Sequence, residues 1–137
     1  MIRTLRRDET AGPEFAHLMW LATEADEEDL GRILREELPG LSVIGVLEES
    51  RVVAFAALDP RAEPTVIEYI AVEEASQGRG HGSALVDAAR EAGSGRAVYA
   101  ETDDDAVDFY RRLGFAVAEK APDPRWPERQ RYACLLV

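Results

Sequence analysis

Gln77-Gly78-Arg79-Gly80-His81-Gly82 stands between the β-branched run Thr65–Val72 and an alanine-rich segment beginning at Ser83. Glycine at three alternate positions leaves no Cβ atoms between the backbone and an approaching ligand. A helix starting near Gly82 turns the unpaired N–H groups of its first turn, and the positive end of its dipole, toward whatever lies over the loop. A strand, a glycine loop and a helix in this order form a site for a pyrophosphate or a similar anion. The stretch therefore points to a protein that holds a phosphorylated cofactor.

Two common owners of such loops fail on the residues. A P-loop needs Gly-x-x-x-x-Gly-Lys-Ser/Thr, and no lysine follows these glycines. A dinucleotide fingerprint needs glycine where Ser83 stands. What fits is Gln/Arg-x-x-Gly-x-Gly/Ala, with Gln77, Gly80 and Gly82 at its fixed positions.

On the amino side of the loop, Ile2 to Asp8 alternates weakly as an edge strand. Phe15, Leu18 and Met19 recur at helical spacing within Gly12 to Leu21. A second helix, capped by Asp26 or Thr23, carries the stripe Leu30, Ile33, Leu34, Leu38 and ends at Pro39-Gly40. Leu41–Leu47 and Val52–Leu58, separated by Glu48-Glu49-Ser50-Arg51, read as a β-hairpin. Asp59 to Pro64 is a turn-rich loop.

On the carboxyl side, Ser83–Ala92 is a helix burying Ala84, Leu85, Ala88 and Ala89, stopped by Gly93-Ser94-Gly95. Ala97–Thr102 is a strand. Asp103–Leu113 is a helix with Ala106, Phe109, Tyr110 and Leu113 facing inward and Gly114 following it. Phe115–Glu119 and Arg131–Val137 are the last strands, joined by the loop Ala121–Arg129 with its three prolines.

The 137 residues, with 46% apolar side chains, suit one globular domain spanning 1–137. Sixteen basic against twenty-seven acidic residues, a net charge of −11, argue against nucleic acid as a partner. No apolar run approaches the roughly 18 residues of a membrane span. The first residues lack the apolar core of a secretory signal, so a cytoplasmic location is the expectation. Cys134 is the only cysteine, and His17 and His81 are the only histidines, so no metal-ligand spacing exists among them.

The glycine-loop pattern resembles the acyl-CoA-binding signature of the GNAT N-acetyltransferase superfamily. Glu68-Tyr69-Ile70-Ala71-Val72 looks like that family's fourth strand, and Ala106, Phe109-Tyr110 and Gly114-Phe115 are similar to its second cofactor helix. The order of elements is similar from end to end. The resemblance implies a single-domain α/β fold with a mixed, mostly antiparallel sheet flanked by helices, its fourth and fifth strands parallel and splayed around acetyl-CoA. It implies that the backbone at Ile70 to Val72, through Ala71, pairs with the pantetheine arm. It also implies that amides from Gly78 through Arg79, Gly80, His81 and Gly82 to Ser83 hold the pyrophosphate, with Gln77 at the motif's first position. Asp103, seven residues before Tyr110, takes a cofactor-facing place often held by asparagine; a carboxylate accepts there but cannot donate.

The implied activity is acetyl transfer from acetyl-CoA to a primary amine. An alkyl ammonium, with a pKa of about 10, must first lose a proton, which a positioned carboxylate accepts. Glu68 is the candidate base and Glu101 its rival, with a water chain as a third route. Tyr110 stands where the family often places a tyrosine near the cofactor sulfur, suited to protonating the departing thiolate. Arg79 and His81 are loop residues that help with phosphate charge. The run Glu24, Asp26, Glu27, Glu28, Asp29 either draws a cationic acceptor or stabilises a helix dipole. Trp126 either walls the acceptor pocket or pins its loop. A non-catalytic acyl-CoA sensor is the alternative function. The acceptor, small amine or peptide or protein amine, stays open, as do a longer acyl donor and the choice between monomer and homodimer.

Overall fold

In the computed structural model, which describes residues 1–124 and 127–137, the order of elements follows the hydrophobic pattern. In chain order these are β1 (Ile2–Thr4), α1 (Pro13–Thr23), α2 (Glu27–Arg32), β2 (Ser42–Glu48), β3 (Arg51–Asp59) and β4 (Thr65–Val72). They continue with α3 (His81–Ala92), β5 (Val98–Asp103), α4 (Val107–Arg112), β6 (Ala116–Lys120) and β7 (Arg131–Leu136). The strands form one sheet in the order β1-β2-β3-β4-β5-β7-β6. Only β4 and β5 are parallel; the other neighbours pair antiparallel. This is the mixed sheet that the resemblance implies. Among the described residues no helix is long and apolar enough to cross a membrane.

Local chemistry sets the boundaries. Pro13 opens α1, where its missing N–H costs nothing. Asp26 caps α2, its Oδ1 accepting from the Asp29 amide at 2.8 Å. The helical path then loosens into a π-turn over Ile33–Glu37 and ends at Leu38–Gly40. Glu49 and Ser50 take the β2–β3 turn, both with positive φ, which matches the twist of the strands they join.

β3 runs through the centre, and its residues Val53 to Leu58 are buried on both faces. Toward one face, Ala54, Ala56 and Leu58 pack with Leu85, Val86 and Ala89 of α3. Toward the other, Phe55 and Ala57 pack with Phe15, Leu18 and Met19 of α1 and with Ile33 and Leu38. Phe15 and Phe55 meet with ring centroids 4.7 Å apart.

The structure corrects the sequence reading in three places. α3 begins at His81, two residues earlier than expected, and buries Val86, while Ala84 and Ala88 are only half-buried. α4 begins at Val107, because Asp103 is still paired with Arg131 in β5 and its carboxylate accepts from the Asp105 amide at 3.0 Å. That side-chain turn uses up three residues before the helix can start. The phase shifts with it: Val107 is buried and Ala106 is exposed. The strand at the amino end stops at Thr4 rather than reaching Asp8, which lies in a short 3-10 turn.

Phe55 is fully buried between α1 and the sheet. Phe55→Ala should lower unfolding free energy by about 3–5 kcal/mol in equilibrium urea denaturation. A loss below about 1 kcal/mol would show that this layer does not hold the fold together.

Candidate active site

β4 and β5 stay together for three pairs only, Thr65↔Val98, Val66↔Tyr99 and Ile67↔Ala100. Beyond them the register of β4 against β3 slips: Ile67 faces Leu58 and Tyr69 faces Ala57, leaving Glu68 as the extra residue of a β-bulge. A bulge bends its strand and increases the local twist. β5 meanwhile continues along β7 as far as Asp103. The two parallel strands therefore part at Glu68.

The bulge also resets which way β4 faces. Ile67 packs on the α3 side before it; Ile70 and Val72 do so after it, while Tyr69 and Ala71 turn to the α1 side. The Glu73 amide donates to the Val53 carbonyl at 2.9 Å, which fixes the hydrogen-bonding phase with β3. By the alternation of an antiparallel ladder, the backbone groups of Ile70 and Val72 then point away from β3, into the gap. One of them is engaged: Gln77 Nε2 donates to the Val72 carbonyl at 3.1 Å.

The glycine loop closes one end of the gap. Gly78 and Gly80 both have φ +83°, a left-handed conformation that suits glycine, and a Cβ on either would meet no protein atom within 4 Å. The first helical bond of α3 runs from the Ala84 amide to the Gly80 carbonyl. The amides of Gly80, His81, Gly82 and Ser83 thus have no backbone acceptor among the described residues. Gly82 has a further reason to be glycine, because a Cβ there would stand 2.6 Å from Cε1 of Phe109. Arg79 and His81 both reach the Glu48 carboxylate, at 3.4 Å and 2.9 Å, which ties the loop to the β2–β3 hairpin.

Together these elements enclose a cleft of about 540 Å³. Glu68, Ile70, Ala71, Val72, Gln77, Gly78, Gly80, His81, Gly82, Ser83 and Tyr110 all line it. Arg79 and Asp103 do not; Asp103 instead accepts from Arg129 Nη1 at 2.9 Å. Arg112 lines the cleft and was missed by sequence reasoning, although its place three residues after Phe109 on a helix was a usable signal. Trp126 lies outside the described residues. In the run 24–29, Asp26 serves as the cap of α2. Among the described residues no group of three or more His, Cys, Asp or Glu side chains is placed to hold a metal ion.

Tyr110 is 4% exposed, packed edge-on against Phe109 and Phe115. Burial pushes its phenol well above the ordinary tyrosine range, with the nearby Cys134 adding to the shift, so it is protonated at neutral pH. None of the described hydrogen bonds uses its hydroxyl, and since no buried side-chain polar atom among the described residues goes without a partner, that hydroxyl opens onto the cleft. Glu68 remains solvent-accessible and makes no ion pair among the described residues. Partial desolvation raises its pKa, and the carboxylates of Asp59, Glu37 and Glu101 add to the rise. Glu101 behaves oppositely: desolvation lifts it, but hydrogen bonds from Lys120 at 2.8 Å and Tyr99 at 2.7 Å outweigh that and hold it below the usual range. The two rival carboxylates therefore differ in kind, one unengaged and the other already neutralised.

A raised folded pKa means that the stability Glu68 contributes is present below the ordinary carboxylate pKa and is lost as pH rises through the shifted value. Glu68→Gln should melt at a higher temperature than the parent protein at neutral pH, with the gap closing by about pH 4. An equal or lower melting temperature at neutral pH would contradict this electrostatic picture.

Similar solved structures share the architecture. An aminoglycoside 6'-N-acetyltransferase complexed with coenzyme A matches with 15% identity and a TM-score of 0.74, over 99% of this chain and 96% of that chain. A GNAT family acetyltransferase from Elizabethkingia anophelis with acetyl-CoA bound matches with 18% identity and a TM-score of 0.68, over 98% and 94%. The PaiA N-acetyltransferase from Thermoplasma acidophilum in complex with coenzyme A gives 15%, 0.70, 97% and 96%. At these identities the likeness speaks for the fold. No curated protein matches the sequence. The sequence profile of the acetyltransferase (GNAT) family, however, matches residues 3–115. With that match over most of its length, the chain belongs to the acetyltransferase (GNAT) family.

Proposed function

We propose that this protein transfers the acetyl group of acetyl-CoA directly to a primary amine. One observation carries the reading: the gap between β4 and β5 offers the unpaired backbone of Ile70 and leads to the free amides of Gly80 to Ser83. An extended amide-bearing arm ending in a diphosphate satisfies both features. The arm adds as a strand beside β4, and the diphosphate takes the positive end of α3. Structures of similar fold hold coenzyme A or acetyl-CoA, which supports the same donor here.

Acetyl-CoA supplies the activated thioester. The remaining roles fall to the chain's own residues. Glu68, unengaged in the cleft, accepts the ammonium proton, directly or through water, and a carboxyl lifted above its usual range is a better base for the task. The unengaged Glu68 carboxylate, with Asp59 and Glu37 adding to the field around it, favours a cationic acceptor at this end. Tyr110, protonated and lining the cleft, donates to the departing thiolate. A backbone N–H near the end of β4 polarises the thioester carbonyl. Cys134 is fully buried within β7, and direct attack needs no covalent enzyme intermediate.

Gly80→Val should abolish coenzyme A binding in calorimetry while circular dichroism and cooperative unfolding persist. Normal binding by that variant would move the cofactor elsewhere. Tyr110→Phe should lower kcat by about a hundredfold with acetyl-CoA and an amine found by thiol-release screening. Unchanged turnover would remove the acid role. Tight acetyl-CoA binding with no thiol release from any amine would favour a sensor instead.

A further inference from the structure

We infer that Lys120 is a positioning residue for the proposed transfer: from β6 it fixes the Glu101 carboxylate as an anion on the cleft wall, leaving Glu68 alone to take up the acceptor's proton. This role rests on the acetyl-transfer reading above. Lys120 is not among the residues lining the cleft and acts through Glu101, which is. Ile67↔Ala100 is the last parallel pair of β4 and β5, so Glu68 and Glu101 are the next residue on each strand. Two carboxylates thus occupy the fork where the strands part, and both line the cleft. Left to themselves, they would titrate as a coupled pair, with neither a defined base.

The register shows how the chain keeps them apart in kind. Glu101 lies opposite Ala133 of β7, which lies opposite Ala118 of β6. Residues of one row share a face, and Lys120, two positions beyond Ala118, shares it too. β5 and β6 are about 10 Å apart, two strand spacings, and the small Ala133 between them leaves room for a long side chain to cross. Lys120 Nζ makes that crossing and donates to Glu101 Oε1 at 2.8 Å. The Tyr99 hydroxyl, from the same face of β5, donates to Oε2 at 2.7 Å, so both carboxylate oxygens are engaged. Arg131, directly opposite Lys120, adds positive charge. Desolvation by itself would lift Glu101, and these partners reverse that lift. The other carboxylates that act on Glu68 have a cation of their own: Arg61 beside Asp59 at 3.5 Å and Arg32 beside Glu37 at 3.2 Å. Of these three neighbours, Glu101 is the one that lines the cleft, and its cation is the only lysine of the chain.

The test is a carbon-13 NMR titration of the Glu68 and Glu101 carboxyl groups, each assigned by its Gln variant, in the ligand-free wild type, Lys120→Met and Lys120→Arg. Wild type should give two separate curves, with Glu101 about one pH unit or more below Glu68. Lys120→Met should raise the Glu101 midpoint by about one unit and broaden both curves into those of a coupled pair. Lys120→Arg, which keeps the charge, should keep them separate. The kinetic arm uses acetyl-CoA and an amine found by thiol-release screening. Glu68→Gln should lower kcat by about a hundredfold, and adding Lys120→Met should recover about tenfold of that loss, because Glu101 is then free to accept the proton. Overlapping curves in wild type, an unmoved Glu101 in Lys120→Met, or no recovery in the double variant would overturn the inference. Failure of wild type to bind coenzyme A is a separate result: it removes the transferase reading, and with it this role of Lys120, whatever the titrations show.

Discussion

The bulge at Glu68 is the constraint on which the active cleft depends. Two parallel strands that stayed in register would satisfy each other's backbone groups and leave no room between them. Here one extra residue on β4 turns the strand away from β5 after three pairs, while β5 stays paired with β7 as far as Asp103. The gap, the unpaired backbone of Ile70, and the exposure of Glu68 at the mouth are all consequences of that single insertion. The glycine loop then follows at the end of the displaced strand, so the bend also determines where α3 aims its free amides.

The cleft has a charge gradient along its length. Near the loop are the helix-terminal amides of α3; at the bulge is the unengaged carboxylate of Glu68, with Asp59 and Glu37 contributing to the field. In the proposed reaction this would draw an anionic donor toward the loop and a cationic acceptor toward the bulge. Tyr110 lines the same cleft, anchored by two aromatic neighbours, so that its ring is held in place by packing. In the proposed acid role, Tyr110 then has no protein hydrogen bond to break before it donates.

Much of this was legible in the sequence because it rests on local chemistry. The β2–β3 hairpin, the β4 run and the glycine loop all announce themselves through residue type and spacing. What was not legible depends on register between strands. Nothing in Ile67-Glu68-Tyr69 marks Glu68 as the extra residue, because a bulge is defined by the partner strand. The start of α4 was misjudged for a related reason: Asp103 belongs to β5 by pairing with Arg131, and that pairing is remote in sequence. Gly82 was read as access for a ligand, and its packing against Phe109 could not be seen without the contact between α3 and α4.

The central claim is that the opened backbone of β4 and the first turn of α3 are one continuous binding surface. Amide hydrogen exchange by NMR, with and without coenzyme A, tests it residue by residue. The account predicts slowed exchange at Ile70 and at Gly80 through Ser83 on ligand addition, with little change along β2. Protection confined to other elements, or none at these amides in a saturated complex, would contradict it.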